Sequence, residues 1–167
     1  MSRKRRKIKK IKSYLGYAII ACGVLAILSL LLTGVVLVAP EGMDNIKING
    51  FTAIFGWVTE NELILGFKKL TVMTNFSFMG LLIIIFPLAG TIISLLKNKT
   101  LELLSILFFL AGAVFAYLLK TDFLNSATEL LKNIMQFYTA KLGIGAILSG
   151  TFSTVGVMLC AIKLYLK

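Results

Sequence analysis

Four long apolar blocks alternate with segments that hold nearly all the charge in this chain. Block one, 14–39, has 26 residues and no Asp, Glu, Lys or Arg. Blocks two and four, 76–96 and 142–162, are equally free of charge, and block three, 101–119, carries only Glu102. About 20 apolar residues in a helix cross the roughly 30 Å hydrocarbon core of a bilayer. The pattern therefore predicts four transmembrane helices. Block one exceeds the ~7–15-residue apolar core of a signal peptide. It ends in Leu37-Val38-Ala39-Pro40, with a bulky residue where a cleavage site needs a small one, and reads as an uncleaved first helix.

Between the blocks, local signals differ. Pro87 lies inside block two, where a missing amide and a steric clash predict a kink. The turn 97–100 is so short that blocks two and three form a tight helical hairpin, with Thr100 as the expected N-cap and Glu102 in the first turn, favoured by the helix dipole. In the connection 40–75, the alternating stretch Ile46-Lys47-Ile48-Asn49-Gly50-Phe51-Thr52 surrounds an Asn-Gly pair, the signature of a two-residue β-hairpin turn. Phe51, Ile54, Phe55, Trp57 and Val58 follow as an apolar patch, and Trp57 suits a membrane interface. The second long connection, 120–141, contains Ser126-Ala127-Thr128-Glu129, which fits a capping box. Ala127, Leu130, Leu131, Ile134, Met135 and Tyr138 recur at helical spacing after it. An interfacial amphipathic helix over 126–138 is expected.

The fold class expected is an all-α membrane protein: a four-helix transmembrane bundle, a small structured extracytoplasmic cap with a β-hairpin, and that amphipathic helix.

Charge orients the bundle. The tail 1–13 holds eight basic residues: Arg3, Lys4, Arg5, Arg6, Lys7, Lys9, Lys10 and Lys12. With 1–13, 97–100 and 163–167 inside, the cytoplasmic side carries 12 Lys and Arg against the single acid Glu102, while six bases and six acids balance outside. Basic residues resist translocation, so both termini are expected to be cytoplasmic, in a multi-pass plasma-membrane protein. Composition agrees: 58% hydrophobic and only 15% charged, with a mean hydropathy of +0.92. Few Pro and no His beside abundant Ile and Lys fit an AT-rich bacterial genome. The net charge of +11 is then topological and implies anionic-lipid contact by the basic N-terminus. Nucleic acid is not an expected partner, since interleaved aromatics and binding motifs are absent.

No chemistry-bearing pattern stands out. His is missing altogether, no ionisable residue falls in the middle of a block, and Cys22 and Cys160 are not in a Cys-x-x-Cys arrangement. Catalytic, cofactor-binding and metal-ligating residues are all expected to be none, and no cofactor is implied. What the blocks do carry is a pair of small-residue stripes. Gly145, Ser149, Ser153, Gly156 and Cys160 line one, and Ala18, Cys22, Ala26, Ser29 and Thr33 the other. Such stripes let helices approach closely in lipid, and direct antiparallel packing of the first and fourth helices through Ala26, Ser29, Ser149 and Ser153 is expected. The plan is similar to that of the claudin-like tetraspans, although their Trp-Gly-Leu-Trp run and loop cysteine pair are absent here. The function expected is a non-catalytic accessory, assembly or partner-binding subunit, with a protein partner or a homo-oligomer in the membrane and Ile46 to Val58 as the working surface. The alternative is a small channel or transporter subunit acting as an oligomer.

Overall fold

A computed structural model describes residues 3–41, 44–62, 68–96 and 98–166. It is mostly helical: α1 (Arg3–Leu28), α2 (Gly50–Phe55), α3 (Phe78–Ser94), α4 (Lys99–Ser126), α5 (Glu129–Met135) and α6 (Ile144–Tyr165). Five strands accompany them: β1 (Thr33–Val38), β2 (Ile46–Asn49), β3 (Val58–Glu62), β4 (Lys68–Val72) and β5 (Thr139–Leu142).

The helices α1, α3, α4 and α6 close a four-membered ring in which each packs on two neighbours: α3 on α4, α4 on α6, α6 on α1 and α1 on α3. Three spans, Lys10–Leu31, Lys99–Ser126 and Ile144–Tyr165, are long and apolar enough to cross a membrane. The fourth apolar helix, α3, has 17 residues, about 25 Å by the helical rise. Leu25, Leu28, Ile85, Leu88, Leu103, Leu107, Leu110, Val114 and Met158 stay exposed around the ring. An aqueous surface would not tolerate such a belt, whereas lipid does.

The strongest departure from the sequence expectation lies in the first block. Helix α1 begins at Arg3 and takes in the basic tail, then closes with a 3₁₀ turn at Ser29–Leu31. Leu32 is extended, and Thr33–Val38 forms β1 rather than continuing the helix expected over 14–39. Thr33, Val35, Val36 and Val38 are β-branched, and such side chains favour strands. An unbroken apolar run cannot by itself distinguish a buried strand from a helix. β1 is central in an antiparallel sheet of order β2-β1-β5, with Leu37 opposite both Ile46 and Ala140. Val35, Leu37, Ile48 and Ala140 form its buried face. The protein is thus not all-α.

Asn49-Gly50 is likewise not a hairpin turn. Asn49 caps α2, its Oδ1 accepting from the Thr52 amide at 2.6 Å. Gly50 opens the helix, pressed so closely on Leu30 that a Cβ would lie 2.8 Å from the Leu30 carbonyl oxygen. β3 and β4 pair antiparallel as a separate two-stranded sheet, with Val58 opposite Val72.

The remaining ends also shift. Ser77 caps α3 by accepting from Gly80 N at 2.8 Å, and Asn98, not Thr100, caps α4. Pro87 is buried inside α3, its ring against Gly112, where a Cβ would come within 2.8 Å of Pro87 Cγ. α4 does not stop at 119 but runs 28 residues to Ser126, about 42 Å, so its last turns leave the ring and enter the sheet. There Leu119 and Phe123 are fully buried with Ile54, Leu37 and Leu131. The expected capping box does not form, because Ser126 is still inside α4, with its hydroxyl donating to Phe123 O at 3.0 Å. Thr128 is the cap of a shorter helix, α5, and its hydroxyl donates to Met73 O at 2.9 Å. Leu131 is buried and Ile134 and Met135 pack on the same core, so α5 rests on the sheet end of the bundle.

Candidate functional site

The α6 stripe faces inward, with Gly145, Ser149, Ser153, Gly156 and Cys160 all buried, and so do Cys22, Ala26 and Ser29 of the first stripe, whereas Ala18 is only half-buried and Thr33 lies in β1. α1 and α6 pack directly and run antiparallel: Gly145, at the start of α6, lies against the end of α1, where a Cβ would approach Ser29 O to 2.5 Å. The stripe hydroxyls do not bond across this seam. Ser29 Oγ donates to Ala26 O within its own helix at 2.8 Å, and Ser149 Oγ and Ser153 Oγ have no hydrogen-bond partner.

Phe109 fills the middle of the ring. It is fully buried, with Ile19 of α1 and Cys160 of α6. A Cβ on Gly90 would meet its ring at 2.9 Å, and one on Gly156 at 2.7 Å. Two glycines on opposite helices thus form the slot that this ring occupies. Above it, the Tyr117 ring lies on Gly150, where a Cβ would come within 2.7 Å.

The end of the ring away from the sheet carries a polar cluster. Glu102 sits in the first turn of α4 and Lys163 in the last turn of α6, each at the helix end whose dipole favours its charge. Lys163 Nζ lies 3.4 Å from Glu102 Oε1, and the two side chains are only 11% and 12% exposed. Lys163 also donates to the Ser94 carbonyl, one of the terminal carbonyls that the end of α3 leaves without an intrahelical amide. One ion pair therefore ties three helices. Next to it, Ser105 Oγ donates to Gly90 O at 2.6 Å and touches Cys160 Sγ at 3.4 Å. These groups leave no room for a ligand among themselves. A wide groove of about 670 Å³ opens beside them, however, between α1 and the α3–α4 turn. Neither the pair nor the groove has a local sequence signal, since each joins residues far apart in the chain.

At the opposite end, the expected working surface is divided. Ile54 is fully buried, Phe51 and Trp57 are half-buried in the core, and Phe55 and Val58 are exposed. Phe55 stacks on Phe51 at 6.2 Å and meets Phe76 at 6.0 Å. Phe76, Phe78, Met79 and Val72 extend this strip along the surface. Beneath it, Ser77 hydrogen-bonds Asp122, joining the start of α3 to the extended end of α4.

Among the described residues, no three His, Cys, Asp or Glu side chains gather as a metal site would require. Searches against protein-family models, curated proteins and solved structures find no match.

Proposed function

We propose that this chain is a non-catalytic, four-span integral membrane protein of the plasma membrane, with both termini cytoplasmic, that serves as an accessory or partner-binding subunit through its extracytoplasmic sheet end. In this reading α3 crosses as the fourth span, helped by the turn at Leu95 and Leu96 and by local thinning of the bilayer. The observation that carries it is the closed ring around Phe109. An ion or solute crossing here would have to displace a ring held between Gly90 and Gly156. A bundle packed in this manner supports a scaffold rather than a conduit. The exposed strip Phe55, Val58, Phe76 and Phe78 supports recognition of another protein at the membrane surface, since aromatic side chains dominate the cores of such contacts. The channel or transporter reading would need polar residues to converge between copies, yet the exposed faces of α4 at Leu103, Leu107, Leu110 and Val114 are apolar.

Site-specific photo-crosslinking in native membranes tests the proposal. A benzophenone side chain at Phe76 or Val58 is expected to give a discrete protein adduct, and the same group at Leu107 is expected to give lipid adducts only. Absence of a protein adduct at both sheet-end positions removes the partner-binding reading.

A further inference from the structure

The groove at the lysine end has a volume of about 670 Å³ and lies open to the surroundings. One wall is α1, with Lys12, Ser13 and Gly16; the other is the α3–α4 turn and the start of α4 at Lys99. Glu102 is neutralised by Lys163. Lys12 and Lys99 have no carboxylate partner among the described residues, so the groove carries a net positive charge. The first turn of α4, with its positive dipole end, adds to this at the rim.

Gly16 is the second observation. It lies well inside α1, where glycine is a poor helix former. A Cβ there would meet nothing within 4 Å, so no helix contact demands glycine. Its absent side chain keeps the groove open to its backbone floor. Tyr17 beside it is largely exposed, as a tyrosine at a headgroup boundary is. The groove is therefore polar and cationic at its rim and apolar towards Ile20, which matches a molecule with an anionic head and a hydrocarbon tail.

We propose that this groove is a binding site for an anionic glycerophospholipid of the cytoplasmic leaflet. The phosphodiester would lie between Lys12 and Lys99, and an acyl chain would pass Gly16 towards Ile20. This differs from diffuse attraction of the basic tail to a charged membrane, and it does not depend on any protein partner at the sheet end.

The test is native mass spectrometry of the full chain in mild detergent, with equal amounts of dioleoyl phosphatidylglycerol and dioleoyl phosphatidylcholine. The wild-type protein retains phosphatidylglycerol selectively, and inorganic phosphate does not displace it. Lys12→Gln with Lys99→Gln reduces that retention about tenfold or more, as removal of two surface lysines implies. Gly16→Leu, which changes no charge, also reduces it by filling the groove. Arg3, Lys4, Arg5 and Arg6 replaced together by Gln leave most of it intact. Thermal melts matching wild type establish that each variant is folded. Unchanged retention in Gly16→Leu, loss only on neutralising Arg3 to Arg6, or displacement by inorganic phosphate would each overturn the site.

Discussion

Lys163, in the last turn of α6, reaches Glu102, in the first turn of α4, with 3.4 Å between Nζ and Oε1, and donates at the same time to Ser94 at the end of α3. The pair is nearly enclosed, so its charges are only weakly screened by water, and removing one partner strands the other. Loss of one member of a buried pair costs about 3–5 kcal/mol. The residual exposure of both side chains places this case below that range. Glu102→Gln and Lys163→Met are each expected to destabilise the bundle by roughly 2–3 kcal/mol, measured by denaturant titration in micelles. The double variant should lose less than the sum of the two. Strictly additive losses would mean that the pair contributes nothing as a pair.

The Phe109 slot makes a second prediction. Gly156→Ala places a methyl group 2.7 Å from the ring, which forces it to shift, and overpacking of this kind costs about 1–3 kcal/mol. Phe109→Leu should relieve the clash, so the pair is expected to be more stable than Gly156→Ala alone. A Gly156→Ala protein with wild-type stability would show that the slot is looser than its distances indicate.

The unpartnered hydroxyls on α6 predict an asymmetry. Ser149→Ala removes a buried group that makes no hydrogen bond and should be neutral or stabilising by up to about 1 kcal/mol. Ser149→Leu at the same buried position should destabilise by overpacking. A clear loss of stability in Ser149→Ala would reveal a bonded partner.

How far these features could be read from the sequence depends on their range. The small-residue stripe on α6 and the middle of the one on the first helix were legible because helical spacing places them on one face, and the structure buries that face, while Thr33 falls in β1. The end of α1 was not, since the run 14–39 is apolar throughout and only its β-branched end, Thr33 to Val38, distinguishes strand from helix. That end pairs with residues far along the chain, at Ile46 and Ala140. Asn49-Gly50 misled because asparagine before glycine serves a helix start as readily as a hairpin, and the close approach of Leu30 decides between them. Lys120 and Asp122 implied that α4 ends at 119. In fact Asp122 finds a partner in Ser77, and the helix continues. The Glu102–Lys163 pair joins two helices whose contact no local pattern announces.

Topology is open to direct labelling. In a background lacking Cys22 and Cys160, a cysteine at the exposed position Asn133 is expected to react with a membrane-impermeant maleimide on intact cells. One at Lys10, also exposed, should react only after permeabilisation. Reversed accessibility would invert the protein and move the sheet to the cytoplasm.

The central claim is that the four helices close around Phe109 and leave no path through the membrane. Ion flux through liposomes containing the purified protein alone tests it most directly. The account predicts flux indistinguishable from protein-free liposomes, for the wild type and over a range of protein-to-lipid ratios. Flux that rises with protein density and increases further in Phe109→Ala would contradict it, and would make the chain a conduit rather than a scaffold.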